Sequence, residues 1–384
     1  MTKTLSVDLQ IFARAGFFLL SLSCMPIASA VEVVAPMGSP AVDFAVADLK
    51  RILAPISGVV VLAYDESLCT QEWRFKTDPD GRLFVYGRDA MGLVYGVYAF
   101  LERKCGVSWF APDTESIPDL TGFGMPVLNE TCRPKILYRE MYIGNDCQGQ
   151  IAEWRLRNKE SKWAAFGLWT RVGRGGDCHT FSAYAASLAK THPEIFGNTV
   201  AANGGRCRTF CLTDSKTHDV VADQMMSWIA ADRESASKKG VPAPLIYDLS
   251  QDDGPSWGEC RCPKCDGMAR EEGSYSAPMI HFANEVARRV HVKFPDVVVR
   301  TFAYSYTRVP PKTVRALPYV SVRLCNSSLF DPLLRGCRFG DELEAWRRHA
   351  SSIGIWGWWR TYTGKLYPFV LSPRRIGEEL RFCR

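Results

Sequence analysis

The sequence predicts a mixed α/β protein: a small N-terminal α/β unit followed by a (β/α)8-type barrel that stops after about seven strands. Three observations lead there. From Ile136 onward, short apolar runs alternate with segments of helical periodicity, the pattern of a parallel βαβ array. Before that, two amphipathic stretches are interleaved with short strands, enough for one sheet with helices against it. Finally, the apolar run Leu245–Tyr247 leads into Asp252, Asp253 and a Gly254-Pro255 turn, as where a buried strand hands carboxylates to a loop.

In the N-terminal unit, Val31–Pro36 reads as a strand. Ser39-Pro40 then supplies an N-cap and a proline at the first helical position. Val42, Ala45, Val46, Leu49 and Ile52 follow on one helical face. Val59–Ala63 is an apolar strand, and Trp73–Lys76 and Leu83–Tyr86 pair around the Asp78–Gly81 turn. A second helix spans about Ala90–Lys104, with Gly106 as its C-terminal cap, and Val107–Phe110 is a last strand. In the barrel the expected strands are Ile136–Tyr142, Gly167–Val172, Thr209–Asp214, Leu245–Asp253, Val297–Tyr306, Val320–Cys325 and Ile353–Trp359. Helices are expected over about 150–164, from Ser276 to before Pro295, and over Arg374–Phe382. An eighth strand is missing, so a fragment or an incomplete barrel is expected, its two edges unpaired.

A chain of 384 residues has room for two cores, and 47% apolar with 23% charged residues excludes wholesale disorder. The net charge of +6 is dispersed without a basic run, so no nucleic-acid partner is expected. Residues 1–30 have the marks of a signal peptide: Lys3 and Arg14, an apolar Ala15–Leu22, and the small-residue site Ala28-Ser29-Ala30. Its removal takes two bases and one acid and leaves +5. Pro26 and the serines break the apolar run short of a spanning length, and no other segment is long enough to span a membrane. Export to the periplasm or outside the cell follows as an expectation. The expected organisation is signal peptide 1–30, N-terminal domain 31–130 and barrel 131–384; oligomeric state is not readable.

Gly87–Pro118, with Gly92, Tyr95, Gly96 and Tyr98 as its core, resembles the end of the N-terminal domain of alpha-glucuronidases and hexosaminidase-type enzymes, which leads into a catalytic barrel. Over most of residues 133–384, an ordered set of motifs resembles the bacterial domain-of-unknown-function family 4838: CHTFSAY with THPEIFG, FCLTD, SQDDG with CRCPKC, FAYSYTRVPPK and VSVRLC. That resemblance implies a barrel, export and a role on glycans.

Asp252 and Asp253 are the candidate catalytic pair. Glycoside cleavage needs a proton donor for the leaving oxygen and a second group that supports positive charge at the sugar carbon. Adjacent carboxylates repel, which raises one pKa into a useful range. The pair also resembles hexosaminidases that use the substrate's own acetamide as nucleophile; on that resemblance Asp253 is the acid and Asp252 orients the acetamide. The plain alternative is a turn cap and a solvated loop acid. Arg139 at the end of the first strand fits a sugar-hydroxyl clamp or a salt bridge with an acid such as Glu140. His179 follows Gly175-Gly176, which permits close backbone approach, and is a ligand contact or a structural histidine. Tyr304 and Trp358 are candidate sugar platforms, with a core role equally open for Trp358. A glycan is the expected partner, cleaved by a glycoside hydrolase or held by a non-catalytic glycan-binding barrel. Fourteen cysteines, thirteen once residues 1–30 are removed, favour disulfides in an exported chain, with the odd count leaving one thiol over. Cys260, Cys262 and Cys265 also have metal-ligand spacing, with a fourth ligand from Cys178, His179 or elsewhere, and free thiols are the third option. HExxH, P-loop and Rossmann patterns are lacking, and no cofactor is expected.

Overall fold

The computed structural model describes residues 31–141, 149–161, 172–196, 209–239, 243–253, 258–326, 333–357 and 373–383. The expected signal peptide, most of the Gly167–Val172 strand and Trp358 lie outside them.

The first unit is a five-stranded sheet in the order β1 (Glu32–Val34), β2 (Val59–Tyr64), β4 (Leu83–Gly87), β3 (Trp73–Thr77), β7 (Asn129–Cys132). β1, β2 and β4 run parallel, while β3 pairs antiparallel with β4 and β7. Helices α1 (Pro40–Ile52) and α2 (Ala90–Arg103) pack against each other and the sheet. As the sequence predicts, Ser39 caps α1 and Pro40 opens it. Gly106 ends the α2 segment at φ +76°, and β5 (Ser108–Ala111) then pairs with β6 (Thr114–Ser116).

The glycine–tyrosine motif has a packing reason. A Cβ on Gly96 would come within 2.6 Å of Val85 Cγ1, so its absence lets α2 lie close on β4. The buried Tyr98 hydroxyl donates to Asp48 Oδ2 at 3.1 Å, and Tyr95 donates to the carbonyl of Glu160 at 3.1 Å. Helix α3 (Gly149–Arg157) belongs to this first core: Leu156 is buried in it and Arg157 pairs with the buried Asp48 at 2.8 Å. The first core therefore continues past residue 130.

The second unit is a four-stranded parallel sheet in the order β11 (Ser352–Trp356), β10 (Val320–Cys325), β9 (Val298–Ala303), β8 (Ile246–Asp248). Val172 extends it by a parallel bridge to Ile246. Tyr247, Val299 and Val320 share a core with α4 (Phe181–Leu188), α5 (Ser215–Lys239), α6 (Pro263–Glu272) and α7 (Ser276–Lys293). The remaining helices are α8 (Arg338–Trp346), whose Phe339, Leu343 and Trp346 form a further core with Val322 and Leu324, and α9 (Pro373–Phe382).

Among the described residues the barrel is not closed, and two of the seven expected strands are irregular. In Ile136–Met141, Arg139 bonds Ser161 through its backbone N–H and carbonyl, which leaves no ladder to a neighbouring strand. Thr209–Asp214 is a turn whose last residue, Asp214, accepts from the Thr217 N–H and hydroxyl at the start of α5. Both segments are apolar enough to read as strands, and side-chain bonds to the backbone outcompete the ladder.

Candidate active site

The site forms at the C-terminal end of β8, where parallel sheets present their ligand-binding residues. Strand register sets its floor. Asp248 aligns with Arg300, and Phe302 aligns with Arg323, so these four side chains share one face of the sheet. Arg300 Nε donates to Asp248 Oδ2 at 2.8 Å, with both side chains buried. Asp248 also accepts from Ser250 Oγ, and Thr180 Oγ1 donates to its backbone carbonyl at 3.1 Å. Arg300 Nη2 and Arg323 Nη1 converge on the carbonyl of Asp177 at 2.7 and 2.9 Å. Burial, with the neighbouring Arg300 charge, holds the Arg323 guanidinium below its ordinary value, and it lies 5.0 Å over the Trp356 ring.

These bonds hold the loop that carries His179. Gly175 has φ +96°, and a Cβ there would meet the Trp228 ring at 2.7 Å, so the close approach this glycine permits is to the core. His179 has φ +52°, a conformation that a non-glycine residue holds at a cost of about 1–3 kcal/mol. The bonds of Thr180 to Ser250 and Asp248 impose it.

His179 meets the acidic doublet. Its Nδ1 lies 2.9 Å from the carbonyl of Gln251, which can only accept, so Nδ1 carries a proton. Its Nε2 lies 3.1 Å from Asp253 Oδ2. The imidazole and the carboxyl group thus lie within hydrogen-bond distance at the mouth of the site. Asp253 is 61% exposed. Burial and the adjacent Asp253 carboxylate, to which it hydrogen-bonds, raise the Tyr304 hydroxyl above its ordinary value. The Tyr304 and Phe302 rings stand edge-on to the His179 ring at 6.0 and 5.6 Å.

Asp252 points elsewhere. Its Oδ1 accepts from Ser182 Oγ at 3.1 Å, and its Oδ2 is buried without a partner among the described residues. Burial pushes its carboxyl up to about 6, against the lowering pull of Ser182 and His179. Because that value lies above the ordinary 3.8, the fold holds this proton more tightly than the unfolded chain does. The stability this group contributes is present at low pH and is lost as pH rises from about 4 through about 6. Asp252→Asn, which mimics the protonated acid, is therefore expected to raise Tm by a few degrees at pH 7.5 and to leave it unchanged near pH 4, as thermal unfolding at the two pH values will show.

The structure thus brings together Asp253, His179 and Tyr304, with the neighbouring Asp252 turned to Ser182. Arg139 is used differently. Its guanidinium donates to the carbonyls of Lys159, Ile136 and Leu137 and to Gln71 Oε1, and it packs 4.9 Å over the Tyr95 ring. It clamps its own segment to Gln71 and Tyr95 of the N-terminal unit. The arginines beneath the site are Arg300 and Arg323, whose one sequence signal is a lone charge inside each of two apolar strands. Glu140 accepts from the Tyr138 hydroxyl. No disulfide links the cysteines of the described residues.

No curated protein matches the sequence. Among solved structures, a family GH115 4-O-methyl-alpha-glucuronidase, BtGH115A, with specificity for decorated arabinogalactans, is similar over 92% of this chain and 52% of its own, at 15% identity and TM-score 0.52. The N-acetyl-beta-hexosaminidase of Streptomyces plicatus is similar over 90% of this chain and 74% of its own, at 14% identity and TM-score 0.42. The beta-N-acetylhexosaminidase of Bacteroides fragilis gives 83% and 68%, at 14% identity and TM-score 0.38. The likeness to the glucuronidase is one of fold: this chain shares its mixed α/β fold and spans about half the length of that enzyme. Residues 109–384 match the family described as Domain of unknown function (DUF4838), which covers the second unit and the end of the first, and the chain belongs to that family.

Proposed function

We propose that the chain is an exported glycoside hydrolase that cleaves N-acetylhexosaminide or glucuronide linkages in glycans. The observation that carries this reading is the 3.1 Å approach of His179 Nε2 to Asp253 Oδ2 beside a second carboxyl, Asp252, pushed up to about 6. In the proposed reaction Asp253 delivers the proton to the glycosidic oxygen as its bond to the sugar carbon breaks and a new bond forms to that carbon from the substrate's acetamide oxygen or, in a glucuronide, from water. The resulting carboxylate is held by His179 and Tyr304. Water then opens the acetamide-bonded intermediate, and the proton it loses returns to Asp253. Asp252, ionised above about pH 6, accepts from the acetamide N–H or faces the positive charge that develops at the sugar carbon. The partly exposed Tyr304 offers ring surface beside Asp253.

The N-acetylhexosaminide half of the substrate proposal rests on the adjacent carboxylates; the glucuronide half rests on the name of the glucuronidase that shares the fold. Export rests on residues 1–30. Aryl N-acetyl-glucosaminides, N-acetyl-galactosaminides and glucuronides of both anomers test the reading. The expected result is release of the aryl alcohol from at least one. Its kcat/KM should fall about tenfold per pH unit below about 6, as Asp252 takes up its proton. Release from none of them with glycan binding retained would overturn hydrolysis in favour of a non-catalytic glycan-binding barrel.

A further inference from the structure

Four cysteines that the site above does not use converge on one point. Cys211 lies in the turn before α5, Cys260 and Cys262 in the loop after Asp253, and Cys265 in the first turn of α6. Their sulfurs all lie within 4.8 Å of one another. Cys260 and Cys265 are fully buried in the second core. The Cys211 and Cys262 sulfurs are 3.6 Å apart, far beyond the roughly 2.05 Å of a disulfide. A tetrahedron of thiolates at about 2.3 Å from a zinc ion has edges of about 3.8 Å, the scale of this cluster. Four sulfurs directed at a common centre fit one four-coordinate ion better than two covalent pairs.

The surroundings suit the charge of such a centre. When four thiols bind one divalent zinc they release four protons and leave a net charge of −2. Cys262 is the N-cap of α6 and accepts from the Cys265 N–H at 3.5 Å, so the positive end of that helix faces the sulfurs. Thr213 Oγ1 lies 3.3 Å from the Cys265 sulfur and can donate to it.

We propose that Cys211, Cys260, Cys262 and Cys265 bind one Zn²⁺ as a closed structural site. The ion ties the loop that follows Asp253 to the turn that opens α5, and so holds the chain on the C-terminal side of the acidic doublet. With four protein ligands it leaves no open position for substrate or water, and its role is to hold the fold.

The test is elemental analysis of the full chain, purified without chelator, together with the absorption spectrum after exchange into Co²⁺. One zinc per chain and the charge-transfer and ligand-field bands of a tetrahedral tetrathiolate are expected. Cys260→Ser should lose the metal. Cys211→His, which keeps a nitrogen donor, should retain it with a changed Co²⁺ spectrum. Cys69→Ser, at an exposed cysteine outside the cluster, should retain both stoichiometry and spectrum. Unfolding of the serine variant would not obscure the answer, because the unaltered chain's zinc content and Co²⁺ spectrum decide it. Absence of zinc from the unaltered chain, or peptide mapping that finds the four cysteines in two disulfides, would overturn the site. Both readouts are independent of turnover, so the zinc site and the hydrolase reading can fail separately.

Discussion

Arg300→Met is expected to lower the unfolding free energy by about 3–5 kcal/mol, because it strands a buried carboxylate. Asp248 and Arg300 face each other in register on adjacent strands, and neither side chain reaches solvent appreciably. Desolvation of both charges is offset by their bonds: Asp248 accepts from Arg300, Ser250 and Thr180, and Arg300 donates to Asp248 and the Asp177 carbonyl. Methionine fills similar volume but donates nothing, so Asp248 keeps its desolvation cost and loses its countercharge. Removing both charges, as Arg300→Met with Asp248→Leu, should recover most of the loss, since apolar pairs often replace buried ion pairs at little cost. Denaturant unfolding of the two single variants and the double variant measures the coupling. A single-variant loss below about 1 kcal/mol would show that the pair is not buried as described. The consequence reaches the site, because the same arginine holds the Asp177 carbonyl two residues before His179.

Local chemistry was the legible part of this chain. Ser39, Pro40 and Gly106 announce helix ends because capping and φ preference act within a few residues. Helix α7 and strands β9, β10 and β11 follow from uninterrupted periodicity or apolar runs. Misreadings arose where a polar side chain or a distant segment decides the backbone. Ile136–Met141 has strand composition but is held by Arg139 and Ser161, and Thr209–Asp214 is closed by the Asp214 carboxylate. Helix α5 is masked in the sequence because its buried residues, among them Thr217, His218, Val221, Met225 and Ile229, are spread thinly over a polar run.

Strand-end position points to the doublet, whereas Gly175, before His179, serves packing against Trp228. The pairing of His179 with Asp253 was not legible, because it depends on a left-handed backbone at His179. Arg139 shows the converse: an arginine at a strand end suits a sugar clamp, but the gap between the two units offers it carbonyls first. The fourth cysteine was invisible to motif spacing because Cys211 precedes Cys262 by 51 residues and meets it only through the turn before α5.

The proposed hydrolysis requires the doublet after β8 to do proton chemistry on a bound sugar. Asp253→Asn measures this most directly. Asparagine keeps the size and the contact to His179 but cannot surrender a proton at the required position. Turnover of the best aryl glycoside and binding of the intact glycan should be measured side by side in this variant and the unaltered chain. The predicted result is a fall in kcat of about 10²–10⁴-fold with binding within a few-fold of the unaltered chain. Turnover that survives the substitution within a few-fold would contradict the assignment of Asp253, and binding without turnover in both proteins would contradict catalysis at this site altogether.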